Sequence, residues 1–467
     1  MAGAGFLAGG GLSVGGRKAL LAADSATLSI PDLLEATVTD GVSVYTLDAK
    51  TGTHEVLSGV SSSTAGYNQS FLGPTMKWTN GDTVKMKVTN DLGEDTTVHW
   101  HGAHVPAKVD GGPQVAFADG DTWEPSFTVN QQAATLWYHP HALGTTAKQV
   151  TRGLAGMIIV EDDTAATTAL PSDYGVDDIP IVLQCLAVDD SGGIKYDLAG
   201  YRESGLNFPV LCNGTNVDST TLSFTATKTR TRLRFLNASP SDIITIQRSD
   251  GNTLTQIATE QGYLTSATKV DSIRLVAGSR AEVVIDLSDA VTLQAVITTG
   301  WITGGSGTYN FLTITPNASD TPADLPSTLN TIDRYDTSAF TARSIKLTQS
   351  GVNMGVDGYV GTTMAGMEML STTLGTSEIW TITNSTQLEH SFHLHDVPFQ
   401  IIAINGEAPT GVDLGWKDTV EVIGTAVVKI AMKFTDYADS TYMYMLHCHL
   451  VQHEDEGMMA GLLVTES

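Results

Sequence analysis

The chain has 467 residues, 51 of them acidic and 25 basic, for a formal net charge of −26 at neutral pH. That balance argues against a nucleic-acid partner, because phosphate binding needs clustered lysine and arginine, and only three cysteines leave no basis for a disulfide framework. No run approaches the eighteen apolar residues of a membrane span, so no membrane partner is expected, and the length accommodates about three domains of roughly 150 residues each.

Residues 1–25, small, apolar and Gly-rich, read as the remnant of an export signal or as a disordered tail. The expected location is therefore periplasmic or extracellular. Beyond them, short runs rich in Val, Thr and Ile are broken by Gly, Asn, Asp and Pro, which predicts an all-β chain with many turns. Three segments share an alternating pattern that ends in Asn: DTVKMKVTN at 82–90, TRLRFLN at 231–237 and EIWTITN at 378–384. GLAGMIIVED at 153–162 and GMMAGLLVTE at 457–466 match each other as closing strands of the first and last repeats. Segments rich in Pro, Asp, Ser and Thr separate the repeats and read as linkers. The prediction is three consecutive β-sandwiches over 26–165, 166–325 and 326–467.

Ten of the twelve histidines fall in four clusters: HWH at 99–101, HPH at 139–141, HSFHLH at 390–395 and HCHLVQH at 447–453. None lies between His141 and His390, so the middle repeat is expected to be a spacer without metal ligands, and the first and third repeats supply any site between them. A strand alternates its side chains between two faces. His99 with His101, His139 with His141, His393 with His395, and His447 with His449 can therefore each project from one face toward a common centre. Pro140 restricts the second pair to an edge strand or an irregular segment. His390 and Cys448 have the opposite parity and face a second site. His453 and Met458 follow after the strand, where EDEG between them reads as a turn that returns them to it. Two imidazoles, a thiolate and a weak axial thioether are the ligand set of blue-copper electron transfer, whereas zinc gains little from a thioether. Cys185 and Cys212 lie in apolar runs and read as buried inert thiols.

These clusters, together with GYNQSFLGPTMKW, HWHGAHVPAKVDGGPQ, WYHPHALGTTAKQVTRGLAGMIIVEDD, GWKDTVEV and HCHLVQHEDEGMM, resemble the multicopper oxidases, in their three-domain bacterial laccase-like and copper-efflux (cuprous) oxidase branch. The resemblance implies cupredoxin-like Greek-key domains and four copper ions: one type 1, one type 2 and two type 3. Carried over residue by residue, His390, Cys448, His453 and Met458 match the type 1 ligands, and His99 and His393 the type 2 pair. His101, His139 and His449 match one type 3 copper, and His141, His395 and His447 the other. Asp110 and Glu454 resemble proton-relay carboxylates. The partners implied are O2 and a small-molecule or Cu(I) electron donor, with the protein acting as a monomer. His54 and His104 receive no role and are expected to be solvated or hydrogen-bonded structural histidines.

The donor is the open point of the sequence. Copper-efflux oxidases carry a long Met- and His-rich insertion in the third domain, whereas here the region holds only Met354, Met364, Met367 and Met369, without histidine. Thioethers suit Cu(I), so MAGMEM reads either as a small copper site or as core filling. A laccase-like oxidase of phenolic donors is preferred, a cuprous oxidase for copper tolerance is the alternative, and a non-catalytic copper-binding or scaffold protein is the alternative of another class. Met459 stands as the substitute should Met458 not be the axial ligand.

Overall fold

The computed structural model describes residues 26–299, 306–351 and 353–466, so the expected signal remnant or tail over 1–25 lies outside the described residues. Strands dominate, and the longest helix among the described residues is the six-residue Thr146–Thr151. None is long and apolar enough to cross a membrane.

The three Asn-ending segments form strands Thr83–Asp91, Arg230–Asn237 and Ser377–Asn384. Each runs parallel to a long earlier strand, Val42–Leu57, Asp178–Cys185 and Thr341–Ser350 respectively. In the facing sheets a second parallel pair recurs: Thr75–Thr79 with Gly156–Glu161, Leu222–Ala226 with Gly307–Pro316, and Glu368–Thr373 with Met459–Thr465. Parallel partners cannot be joined by a tight hairpin. Each pair therefore requires the chain to cross over, and with antiparallel ladders between them the outcome is three consecutive Greek-key sandwiches, as expected.

The asparagine that ends each of these three segments has a physical reason. Asn90 accepts from Leu92 N at 3.1 Å and donates to Glu94 O at 2.9 Å and Phe117 O at 3.1 Å. Asn237 accepts from Ser239 N at 3.0 Å and donates to Asp242 O at 2.8 Å and Leu275 O at 2.9 Å. Asn384 accepts from Thr386 N at 2.8 Å and donates to Leu388 O at 2.7 Å and Val422 O at 3.1 Å. One buried amide turns the chain out of the strand and ties the turn to a second loop, which requires both a donor and an acceptor on a short stem.

Alternate residues of each strand face inward, as Val84, Met86 and Val88 do, and the three sandwiches have separate cores. Leu28 packs into the core of the middle sandwich, with its N–H donated to Ser223 O at 2.9 Å, so the chain touches the second unit before it builds the first. A buried ion network joins the same two units: Arg234 pairs with Asp178 at 2.7 Å and Glu282 at 2.9 Å, and Thr135 donates to Glu282 at 2.7 Å.

Candidate metal centre

Two strand pairs hold most of the histidines. His99–His101 pairs antiparallel with Ala134–His139, placing His99 opposite His139, and His390–Leu394 pairs with Tyr444–Cys448, placing His393 opposite His447 and Phe392 opposite Cys448. The strands end at His139, Leu394 and Cys448, so His141, His395 and His449 stand just past the ladder ends, where Pro140 has no ladder bond to break. All ten clustered histidines, Cys448 and Met458 are buried.

Eight imidazoles meet between the first and third sandwiches. His99 stacks on His395 with ring centres 3.8 Å apart, and His101 on His393 at 3.7 Å. His447 Nε2 lies 3.1 Å from His141 Nε2 and 3.3 Å from His395 Nε2, while His449 Nε2 lies 3.4 Å from His139 Nε2. Hydrogen bonds on the far side of the rings set the tautomers: His99 Nδ1 donates to Asp110 O at 2.9 Å, His393 Nδ1 to Asp418 O at 2.8 Å, His139 Nδ1 to Pro140 O at 2.8 Å and His395 Nδ1 to Asp110 Oδ2 at 2.7 Å. The Nε2 lone pairs are thereby turned inward, and those of His99 and His393 meet no protein partner. Burial pushes His101, His139, His393 and His395 well below the usual imidazole range, His141 to about 4 and His449 to about 3. Neutral rings with converging lone pairs repel one another unless cations lie between them, and ligating histidines are oriented in this way. The donor atoms of His141, His395 and His447 all lie within 4.8 Å of one another, as do those of His390, Cys448 and His453.

The second set sits on the other face of the same strand. Cys448 Sγ is 3.5 Å from His390 Nδ1 and 3.7 Å from His453 Nδ1, and His390 Nε2 is occupied by Thr386 Oγ1 at 2.7 Å. Burial raises the Cys448 thiol to about 12 and lowers His390 to about 4. A cation bound here reverses the first shift, since a coordinating thiol is deprotonated. The expected turn is present at Glu456 and Gly457, with Gly457 N donating to Glu454 O at 2.9 Å, and it follows a short helix, Val451–Asp455, which carries His453 and Glu454. Gly457 then adopts φ +106°, and a Cβ there would meet Val360 Cγ1 at 2.6 Å. Met458 follows, within the same core as Cys448, whereas Met459 joins a separate group with Met367, Met443 and Met445.

Three buried carboxylates support the imidazoles. Asp110 serves His99 through its backbone oxygen and His395 through Oδ2. Glu454 lies 3.0 Å from His447 Nδ1 and 3.4 Å from His141 Nδ1, and although burial alone would raise its carboxyl, those two rings bring it to about 2. Asp418 was not anticipated. Its backbone oxygen serves His393, its Oδ1 lies 3.3 Å from His101 Nε2, and its side chain is gripped by Arg280 at 2.8 and 2.6 Å and by Gln261 at 2.6 Å. Arg280 and Gln261 belong to the middle sandwich, so the expected spacer supplies no imidazole yet orients those of its neighbours. The backbone of Gly278 also approaches so closely that a Cβ there would meet the His449 ring at 2.9 Å. His54 and His104 are hydrogen-bonded, as expected. His54 donates to Gly214 O at 2.7 Å, and His104 lies between Asp396 at 2.7 Å and Asp436 at 3.0 Å, carboxylates that outweigh its burial and raise it to about 9.

Residues 48–165 and 324–467 each match a family model described as multicopper oxidase, and the two ranges together exceed half of the chain. Over 439 residues the chain is 34% identical to "Multicopper oxidase mco" of Staphylococcus aureus, spanning 91% of this chain and 90% of that one. The chain belongs to the multicopper oxidase family. Among other members it is 31% identical to the "Cell division protein FtsP" of Escherichia coli, covering 96% of this chain and 94% of the relative. A solved structure of a bacterial laccase-like multicopper oxidase, CueO from the lignin-degrading Ochrobactrum sp., superposes with a TM-score of 0.83 at 30% identity, over 94% of this chain and 100% of that one. Family membership brings copper as the metal, and the inward-turned lone pairs and the Cys448 set fit it.

Proposed function

We propose that this multicopper oxidase is laccase-like, oxidising phenolic or other aromatic donors one electron at a time and reducing O2 to water with four coppers. The observation that carries the reading is that one strand feeds both sets: Cys448 meets His390 and His453, while its neighbours His447 and His449 meet the histidines of the first sandwich. When bound, copper supplies one-electron acceptance at the Cys448 set and four-electron reduction of dioxygen at the histidine set. His390, Cys448, His453 and Met458 would hold the type 1 ion, and His99 and His393 the type 2 ion. The trios His101, His139, His449 and His141, His395, His447 would hold the type 3 pair. The tripeptide His447–Cys448–His449 is a short, rigid covalent link between the two sets. Asp110 and Glu454, each touching two imidazoles, are the carboxylates placed to relay protons toward the place where oxygen is reduced.

The missing Met- and His-rich insertion supports an aromatic donor, and so does the Ochrobactrum relative, whose oxidase activity is towards lignin model compounds and lignosulfonate. Met367 and Met369 support the alternative, a cuprous oxidase for copper tolerance. The cell-division relative supplies a reading of another class, a scaffold without catalysis, against which stands the complete set of twelve ligand residues. The proposal carries with it a monomer in an exported location, supported by the small, apolar opening of the sequence. Metal analysis together with steady-state rates on a phenol and on Cu(I), measured side by side, tests it. Four coppers per chain and a faster phenol reaction are expected. One copper or zinc overturns the assignment, four coppers with a faster Cu(I) reaction favours the cuprous oxidase, and oxidation of neither donor favours the scaffold.

A further inference from the structure

One face of the third sandwich carries a row of sulfur. Met443, Met445 and His447 alternate onto the same side of the chain through strand Tyr444–Cys448. On the neighbouring strand, Met445 stands opposite Gly461 and His447 opposite Met459, and one strand further Met369 stands opposite Gly461. Met367, Met443, Met445 and Met459 pack as one group, with Leu143 of the first sandwich against them. Gly461 leaves its place on this face to sulfur: a Cβ there would lie 2.2 Å from Met443 Sδ and 2.9 Å from Met369 Sδ. The row is graded from water to interior, with Met369 45% exposed, Met443 7%, Met459 1% and Met445 0%, and it ends beside the buried His447.

Core filling accounts for the buried members but not for an exposed Met369 whose sulfur converges with a second one over a bare glycine. Thioethers are neutral soft donors that select monovalent copper, and they release no proton when they bind it. We infer that Met369 and Met443 form an entry site for Cu(I), and that the thioether row passes the ion inward to His447 as the loading path of the histidine centre. The inference rests on the reading of that centre as copper-binding. Cys448 faces the opposite side of its strand, so an ion on this row is cargo for the centre rather than an electron donor to the thiolate.

Silver(I), a soft monovalent ion without redox chemistry here, is the probe. The copper-loaded full chain, titrated calorimetrically with silver nitrate in chloride-free buffer, should bind one silver ion. Binding should weaken at least tenfold in Met369→Leu/Met443→Leu, and also in Gly461→Ala, which keeps every thioether but pushes the two sulfurs apart. No silver binding by the native chain, or unchanged binding by both variants, overturns the site. In the second arm the copper-free full chain receives Cu(I), and copper per chain is followed over time. The variants should reach the native final content at least tenfold more slowly. Equal rates overturn the path and leave the oxidase reading standing, whereas a native chain that never loads copper beyond one ion overturns the oxidase reading itself.

Discussion

At Cys448 the protein spends a buried thiol, raised to about 12 by its surroundings, on a position where serine would pack almost as well. Cys448→Ser should therefore abolish both donor oxidation and the blue absorption of a thiolate-bound copper, while the copper-free chain stays folded and loses about 1–3 kcal/mol in chemical unfolding, the cost of burying a hydroxyl beside His390 and His453. The axial position is argued from packing. Met458 shares the core of Cys448 and Met459 does not, so Met458→Leu should raise the type 1 potential in a redox titration while Met459→Leu leaves it in place. Asp110→Asn keeps the shape and one accepting oxygen but cannot cycle a proton. In stopped flow it should bleach the blue band at the native rate without oxygen and reoxidise slowly when oxygen is added. Normal reoxidation with slow bleaching would put Asp110 on the donor side. The ligand residues were legible because alternation along a strand sorts imidazoles by face. Asp418 was not, because its role depends on Arg280 and Gln261, more than a hundred residues away in a unit that carries no histidine clusters.

Among the elements, the most legible were the three strands that end in asparagine, and the hydrogen bonds explain why the residue recurs. Asn237→Ala would leave one N–H and two carbonyls of the middle sandwich without their partner. A loss on the order of 2–4 kcal/mol is expected in denaturant unfolding, with the copper content of the loaded protein unchanged. Strand ends were less legible than strands: His99 and His101 lie within their strand, but the other three pairs straddle an end, because Pro140, which the sequence already marked as a restriction, and the bend at Asp396, with φ +69°, stop two of the ladders. The helix Val451–Asp455 escaped notice for a different reason. Five residues are too few to display a helical period, and Leu450 at its N-cap offers no side-chain bond as a signal.

Across the whole molecule, one arginine joins all three sandwiches at the site. Arg280 is buried and donates to Thr135 O of the first unit at 2.9 Å, to Gly278 O at 3.1 Å and Glu260 O at 3.2 Å in its own, and to both oxygens of Asp418 in the third. Burial alone would raise the Asp418 carboxyl, yet Arg280 holds it below the usual carboxylate range. This stabilisation is present above the ordinary carboxylate pKa and is lost as pH falls through the lower folded value. Arg280→Met removes the cation and leaves a buried carboxylate uncompensated, a change that costs about 3–5 kcal/mol. In the variant, burial without the Arg280 cation outweighs the remaining hydrogen bonds from Gln261 and Thr419 and lifts the carboxyl above its unfolded value, so the dependence reverses and stability falls as pH rises. The deficit against the native chain should therefore be small at pH ~4, where the variant carries a proton on Asp418, and grow toward pH ~7 by at most about 1.4 kcal/mol per unit. Adding Asp418→Asn to Arg280→Met should flatten that pH dependence and restore part of the stability. Because the Asp418 carboxylate lies 3.3 Å from His101 Nε2 and is itself positioned by Arg280, the double variant should still bind less copper than the native chain. Denaturant unfolding of the copper-free proteins at several pH values, with metal analysis of the loaded ones, measures both. A deficit independent of pH would mean that Arg280 acts through its backbone contacts and not through the charge of Asp418.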